Sequence, residues 1–239
     1  MKHVIALSGG KDSTALALAL KDREPRTYEY ICTPTGNELP ELFKHLEILE
    51  EILGEKINRI GIGLNLYELI EEQKMIPNFR ARFCTRVLKI EPTIEYMKRL
   101  PKGSLLYVGL RADEDERKGI YSVQVESRFP LREWGWTIGD VYRYLMERGI
   151  SIPRRTDCGV CFYQTLGEWW NLWKNNRTEY DKGEGIEKVM GHTFRSNGRD
   201  TWPASLEMLR MEFEKGRIPR DADCNIDLFG GSHCRVCSL

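Results

Sequence analysis

The sequence predicts an α/β fold with a mostly parallel sheet, on three observations. From residue 3 to about 75, apolar runs short enough for strands alternate with helical patterns, an order that builds parallel sheets with ligands at the strand C-terminal ends. The first strand-to-helix crossing is a glycine turn rich in hydroxyls, Ser8-Gly9-Gly10-Lys11-Asp12-Ser13. Finally, 239 residues with 41% hydrophobic content suffice for one large domain, or a main domain with an appendage.

Val4-Ile5-Ala6-Leu7 is the first strand. Ala15-Leu16-Ala17-Leu18-Ala19-Leu20 alternates like a strand, but alanine and leucine are strong helix formers and nothing there is β-branched. Residues 14–20 are therefore expected as a helix buried all round. Residues 28–32 form the second strand, which enters the loop Thr33-Pro34-Thr35-Gly36-Asn37. Apolar positions 39, 42, 43, 46, 49 and 53 keep a helical spacing that Gly54 ends. A third strand covers 57–62, a helix runs 66–74 before Pro77, and a further strand covers 105–110. Thr137 and Asp140 make a capping box for a helix carrying Ile138, Val141, Tyr142 and Leu145, closed by Gly149. Beyond 150 the composition shifts. A tryptophan-rich helix at 168–173 precedes a glycine- and charge-rich stretch at 181–200 with an ordered polar loop at 191–198. Pro203 then starts a helix with Leu206, Leu209 and Phe213 on one side.

The crossing at 8–13 reads as a phosphate cradle. Gly9 and Gly10 allow close backbone approach and unusual dihedrals, and the first helical turn offers unpaired N–H groups to an anion. Ser8 and Ser13 can donate, and Lys11 brings a mobile positive charge. The turn is neither a Walker A loop nor a dinucleotide fingerprint. Further on, Arg80, Arg82, Arg86 and Lys89 fall within ten residues, interleaved with Phe83, Cys84, Leu88 and Ile90. That pattern suits arginines aimed at a phosphate or carboxylate. Arg111-Ala112-Asp113-Glu114-Asp115-Glu116-Arg117 follows the 105–110 strand; its carboxylates could position Mg²⁺ near a triphosphate, or form a charged surface loop.

With 36 basic and 36 acidic residues the formal charge is zero, which argues against nonspecific wrapping of nucleic acid. A local basic groove stays open, with Arg80, Arg82, Arg128, Arg132, Arg154 and Arg155 as its candidates. No stretch approaches the ~20 apolar residues of a membrane span and no leader pattern opens the chain, so a cytoplasmic protein without membrane partners is expected. Its seven cysteines then read as thiols or metal ligands. Cys158-x-x-Cys161 and Cys234-x-x-Cys237 are two thiolate hooks that can close a four-sulfur site around zinc or an iron–sulfur cluster, with Cys224 a further candidate ligand. Cys84 lies among arginines that would lower its thiol pKa; simple packing beside Phe83 and Leu88 is the alternative. Cys32, inside an apolar strand, is structural.

The crossing resembles the Ser-Gly-Gly-x-Asp-Ser signature of the PP-loop adenine nucleotide alpha-hydrolase superfamily, whose members cleave or hold adenine nucleotides at the α-phosphate. Four later stretches are similar, in order, to motifs of its phosphoadenosine phosphosulfate (PAPS) reductase-like branch. They are Thr35-Gly36-Asn37-Glu38-Leu39-Pro40; Arg82-Phe83-Cys84-Thr85-Arg86 with Leu88-Lys89-Ile90 and Pro92; Gly109-Leu110-Arg111 through Arg117; and Phe129-Pro130-Leu131 with Trp134. Pro34 stands where the branch usually has aspartate, and Asp115 where it has serine. The resemblance covers residues 3 to about 150. It implies a Rossmann-like sheet flanked by helices, with 1–150 as a PP-loop adenine nucleotide-binding domain and 151–239 as a cysteine-rich, metal-binding C-terminal region packed on it. It also implies ATP or PAPS as the nucleotide, with Ser8, Gly9, Gly10, Lys11, Asp12 and Ser13 around phosphate and Thr35 and Gly36 near the nucleotide. Lys89 would add positive charge, and Arg111 would face a phosphate or substrate anion. By analogy with sulfur-inserting relatives, a [4Fe–4S] cluster would sit at Cys158, Cys161, Cys234 and Cys237, with Zn²⁺ as the alternative at the same cysteines.

The expected activity is that of an ATP pyrophosphatase-type, sulfurtransferase-like enzyme. An oxygen of the acceptor attacks the α-phosphorus, and pyrophosphate leaves toward Lys11, with Mg²⁺ held by the phosphates and Asp12. Sulfur, through Cys84 or the cluster, or nitrogen then displaces the adenylated oxygen. Lys11, Asp12, Cys84 and Arg111 are the catalytic candidates; the partners would be a nucleotide or nucleic-acid-related acceptor and a sulfur donor. Two rivals stand beside it. One is a PAPS or adenylyl-sulfate reductase in which Cys234 or Cys237 attacks sulfur and a thioredoxin-like reductant resolves the product. The other is a non-catalytic nucleotide-binding component of a nucleic-acid modification complex, docking through Trp169, Trp170 and Trp173.

Overall fold

The computed structural model describes residues 1–114, 124–198 and 200–222. Five strands, β1 (His3–Ala6), β2 (Glu29–Cys32), β3 (Ile57–Arg59), β4 (Leu105–Tyr107) and β5 (Ser127–Arg128), form one sheet in the order β3-β2-β1-β4-β5. All neighbouring pairs are parallel, with Ile5 opposite both Tyr30 and Tyr107. The chain moves outward from β1 to β3 and then crosses to the other side of β1. That reversal leaves a crevice at the C-terminal ends of β1 and β4, where ligands of open α/β sheets bind. β5 is a two-residue strand with no sequence pattern of its own; its neighbour β4 pairs with it through Tyr107 and Arg128.

Helix α1 (Lys11–Arg23) is buried continuously from Ala15 to Leu20, as its all-round apolar character predicts. It lies with α2 (Pro40–Leu53) on one face of the sheet, in a core that includes Ile5, Leu42, Leu46 and Tyr107. Gly54 closes α2 in the left-handed region at φ 75°. The helix α3 (Leu66–Gln73) follows β3. A short α4 (Phe83–Thr85) then runs into a π-helical turn, Arg86–Ile90, and on into α5 (Glu91–Lys98), which covers the opposite sheet face through Ile94 and Met97. Pro92 accounts for the turn: it has no N–H to give, and its ring crowds the carbonyl four residues back. The ladder widens, so that Glu91 N–H reaches Arg86 O, and the Thr93 hydroxyl donates to Lys89 O at 2.8 Å. After α6 (Pro130–Glu133), α7 (Ile138–Glu147) begins at the expected box, with the Asp140 carboxylate accepting from Thr137 N–H at 2.9 Å.

The C-terminal region contains α8 (Leu166–Asn175), α9 (Arg177–Met190) and α10 (Leu206–Glu214). Residues 181–190, glycine- and charge-rich by composition, belong to α9. A Cβ at Gly183 would stand 2.8 Å from Val160 Cγ1, so glycine is what lets this helix press on the 158–161 segment. α10 starts at Leu206 rather than Pro203, because the Ser205 hydroxyl accepts the Met208 N–H and caps it there. Trp169, Tyr180, Phe194 and Leu209 share one apolar cluster with Leu69, Ile70 and Leu88 of the body. Among the described residues it is this core that joins 151–222 to the sheet domain. Trp169 is fully buried and Trp170 8% exposed, with Trp173 packed against the same cluster, so the three tryptophans are core and not a docking face. No helix among the described residues is long and apolar enough to cross a membrane.

Glu187 lies inside this core, accepting the N–H groups of Phe194 at 2.8 Å and Leu206 at 2.6 Å. Burial pushes its carboxyl pKa up to about 7 against those hydrogen bonds. The folded state therefore holds a proton that the unfolded chain releases at lower pH, so this group's contribution to stability falls as pH rises from its ordinary value of 4.5 to about 7. Denaturant titrations across that window should show the decline in the wild type and a flatter profile in Glu187→Gln; parallel profiles would refute the assignment.

Candidate nucleotide site at the strand ends

The first crossing is shaped as a cradle. Gly9 sits at φ +77°, and a Cβ there would stand 2.5 Å from Leu42 Cδ1, so both dihedral and space demand glycine. Gly10 is different: it is an extended N-cap at φ −74°, and no side chain caps the helix it opens. The first N–H groups of α1 therefore stay available to an anion. Ser8 Oγ and Ser13 Oγ are 3.1 Å apart, and Ser13 also donates to Gly10 O at 3.0 Å.

Gly109, just beyond β4, brings the other wall in. A Cβ there would meet the Asp12 carbonyl carbon and oxygen at 3.0 Å, so its absence lets the chain lie against the start of α1. Arg111, 4% exposed, thereby donates from Nη1 to Asp12 Oδ2 at 2.8 Å and from Nε to Asp113 Oδ1 at 2.8 Å, with Glu114 Oε1 3.4 Å from Nη2. Burial opposes its charge, but the Asp12, Asp113 and Glu114 carboxylates outweigh it and raise its pKa. Lys11, 2% exposed, reaches the same Asp12 Oδ2 at 3.3 Å, while Asp12 Oδ1 is buried without a hydrogen-bond partner among the described residues.

A cleft opens beside this cradle, over the β1–β4 crevice. Ser8, Cys32, Pro34, Glu38, Leu42, Lys89 and Thr156 are among its lining residues, together with Thr85 and Thr93. A second, smaller cavity shares Thr85 and Lys89 with it and is lined by Thr35, Cys84, Cys158 and Cys161. Of the expected nucleotide residues, Ser8 and Lys89 thus face the cleft. Thr35 lies against the thiol cavity, its hydroxyl donating to Glu38 at 2.8 Å and standing 3.1 Å from Cys158 Sγ. Gly36, at φ +77°, serves a close approach to Asn65.

Several expectations are corrected here. Among the described residues no group of three or more His, Cys, Asp or Glu could hold a metal ion, against the expected [4Fe–4S] cluster or Zn²⁺. Cys158 and Cys161 are buried thiols whose pKa values burial raises, to about 12 for Cys161. Cys224, Cys234 and Cys237 lie outside the described residues, as do Asp115, Glu116 and Arg117. The carboxylates of Asp12, Asp113 and Glu114 are committed to Arg111, which is why they make no cation site. Cys84, expected to be acidified by its arginines, has its pKa raised by burial, with Lys89 opposing the shift. The basic strip is dispersed. Arg128 pairs with Glu24 and Glu133, Arg132 donates to Glu114 O, Arg154 to Ala222 O, and Arg155 to Cys158 O.

Glu38, Thr85 and Thr156 are the cleft residues that sequence reasoning passed over. Glu38 had a signal, since it directly follows Thr35-Gly36-Asn37. Thr156 had none: it reaches the cleft on a segment that a Cys158–Glu38 antiparallel bridge and a Gly159 N–H to Asn37 O hydrogen bond at 2.5 Å tie to the loop after β2.

A parallel sheet with a switch-point crevice and this cradle at its first crossing define a PP-loop protein of the adenine nucleotide alpha-hydrolase class. Within that class the chain belongs to the phosphoadenosine phosphosulfate reductase domain family, which residues 2–172 match. It is similar to an uncharacterized protein of Methanocaldococcus jannaschii, 26% identical over 213 residues, covering 76% of this chain and 43% of that one. A second uncharacterized protein of the same organism is 27% identical over 172 residues, covering 65% of this chain and 40% of that one. The chain thus spans about two fifths of the length of these curated relatives. Among solved structures, the PAPS reductase of Candida auris in its phosphate complex shares the fold, with a TM-score of 0.50 and 14% identity over 64% of this chain and 75% of that one.

Proposed function

We propose that this protein binds ATP across the first crossing and adenylates an oxygen of an acceptor, releasing pyrophosphate, as the activating half of a sulfur insertion. One observation carries the reading: the cleft beside the cradle shares two wall residues, Thr85 and Lys89, with a cavity lined by three thiols. Residues 1–150 supply the phosphate cradle in this reading, and the region from 151 adds Thr156 to the cleft wall and closes the acceptor side. The acceptor oxygen attacks the α-phosphorus and the α–β bridging bond breaks. Charge on the departing pyrophosphate is met by the α1 N–H groups and by Lys11 and Arg111, which exchange Asp12 for phosphate. Sulfur then attacks the activated carbon, and AMP leaves with the oxygen. Cys84 is the partly exposed thiol of the three, so it is the one placed to carry that sulfur as a persulfide received from a sulfur donor. Once the outer sulfur has bonded to the carbon, a thiol reductant attacks Cys84 Sγ, the sulfur–sulfur bond breaks to release the thiolated product, and a second reductant thiol frees Cys84 from the mixed disulfide.

The rim of the thiol cavity supports a nucleic-acid-related acceptor. Phe79, 48% exposed, meets Tyr163 edge-on at 4.9 Å between centroids, the Arg82 guanidinium lies 5.1 Å over the Tyr163 ring, and Arg80 is exposed beside them. Aromatic rings interleaved with arginines are the means by which unpaired bases and their phosphates are held.

Nucleotide turnover in the presence of a small-RNA fraction tests the reading. AMP and pyrophosphate should form in equal amounts from α-labelled ATP; ADP formation, or no turnover with any fraction, would reject it. Cys84→Ser should retain pyrophosphate release and lose sulfur incorporation into the acceptor. Loss of both together would assign Cys84 to packing.

A further inference from the structure

We infer that Glu38 and Thr156 form a subsite for the ribose diol of the nucleotide, and that this subsite rejects a nucleotide carrying a 3′-phosphate. The inference rests on the cleft being the nucleotide site. It goes further in choosing ATP over PAPS for a member of a family described by PAPS reduction.

Two buried polar atoms in the cleft wall are without hydrogen-bond partners among the described residues. Glu38 is pinned at one oxygen: Oε1 accepts from Thr35 N–H at 2.7 Å and from the Thr35 hydroxyl at 2.8 Å. Its other oxygen, Oε2, is buried with no hydrogen-bond partner among the described residues. Thr156, 4% exposed, has its hydroxyl in the same condition. Both residues line the cleft, and the bridge between Glu38 and Cys158 holds them on the same side of it. A buried acceptor left unmade costs about 1–3 kcal/mol, so the free protein holds these two groups ready for a ligand that satisfies both.

A vicinal diol does so. One hydroxyl donates to the fixed carboxylate oxygen, and the other exchanges a hydrogen bond with the threonine, which can give or accept. Position selects the sugar over the base. Glu38 shares the cleft wall with Ser8 of the cradle and with Leu42, whose side chain lies against Gly9, and the sugar joined to an α-phosphate held at the cradle falls within that wall. The apolar walls, Ile31, Ile90, Val108 and Leu110, carry no such demand and suit a flat base. In Rossmann sheets an acidic residue beyond the second strand reads ribose hydroxyls for the same physical reason. A phosphate on the 3′-oxygen removes the donor and sets a dianion against the carboxylate. Lys89 also lines the cleft, from the helical segment on the opposite sheet face. Were the sugar turned toward it, a 3′-phosphate would tighten binding.

The test is calorimetry on the full chain with ATP, 2′,3′-dideoxy-ATP, AMP and adenosine 3′,5′-bisphosphate. Dideoxy-ATP should bind about tenfold or more weakly than ATP, and the bisphosphate about tenfold or more weakly than AMP. Glu38→Gln should narrow the second gap to within about threefold, while Thr156→Val should narrow the first and leave the second. Equal binding of ATP and its dideoxy analogue, or a bisphosphate that binds as tightly as AMP, overturns the subsite while leaving the cleft as the nucleotide site. Failure of both ATP and AMP to bind overturns the cleft reading and the subsite with it. The analogue comparisons need no variant, so they decide the matter even if Glu38→Gln folds poorly.

Discussion

Lys11→Met is expected to lower ATP turnover by about 10²–10³-fold, the loss typical of removing one preorganised donor to developing charge, with little change in melting temperature. Lys11 and Arg111 both lean on a single oxygen, Asp12 Oδ2, at 3.3 and 2.8 Å. Two buried cations on one carboxylate oxygen make a site poised to receive further negative charge, and an entering triphosphate supplies it. Methionine keeps the buried methylene packing of Lys11 and removes the charge alone, and Asp12 still has Arg111. The companion variant should behave differently. Asp12→Ala takes from the buried Arg111 one of the three carboxylates it has among the described residues and leaves Lys11 beside it, so stability as well as turnover should fall. Pyrophosphate release at saturating ATP, measured beside a thermal melt, separates the two. Turnover of Lys11→Met within threefold of wild type, or a melting loss as large as that of Asp12→Ala, would end the case for Lys11 as a catalytic cation.

The residues that make the sheet and the cradle were legible because their chemistry is local. Val4-Ile5 sits in a short apolar run that suits an interior strand, the helix propensity of Ala15 to Leu20 outweighs its strand-like alternation, and Gly9 precedes an uncapped helix start. Gly54 and Thr137–Asp140 announced their helix ends by the same local means. What stayed hidden depends on partners distant in sequence. β5 is a strand only because β4 offers it an edge. The π-helical turn comes from a proline acting on a carbonyl four residues back, within a helix whose start no cap announces. Cys158-x-x-Cys161 looks the same in sequence whether its sulfurs ligate a metal or fill a cavity. Burial among Thr35, Val160 and Phe162 is a property of the packed molecule and not of the spacing. Arg128 and Arg155 count as a basic strip on paper, yet each finds a carboxylate the sequence does not set beside it.

In the C-terminal region the packing that joins the described residues to the sheet domain also bears on the site. Trp169→Ala should cost about 3–5 kcal/mol, the range for deleting a fully buried aromatic ring, which for a chain of this length lowers the melting temperature by roughly 10 °C. Its indole N–H makes no hydrogen bond among the described residues, so the loss is packing against Tyr180 and Phe194. The effect should also reach the nucleotide. α8 and α9 back the 158–161 segment, Val160 packs into the same cluster as Trp169, and that segment carries Thr156 into the cleft beside Glu38. A ligand present at a hundredfold its dissociation constant adds about 2.7 kcal/mol to the folded state. ATP should therefore raise the wild-type melting temperature by several degrees and raise that of Trp169→Ala by clearly less at the same concentration. If the variant melts lower but gains as much from ATP as the wild type, the helices from 166 onward support themselves without shaping the cleft, and Thr156 owes its place to the Glu38–Cys158 bridge alone.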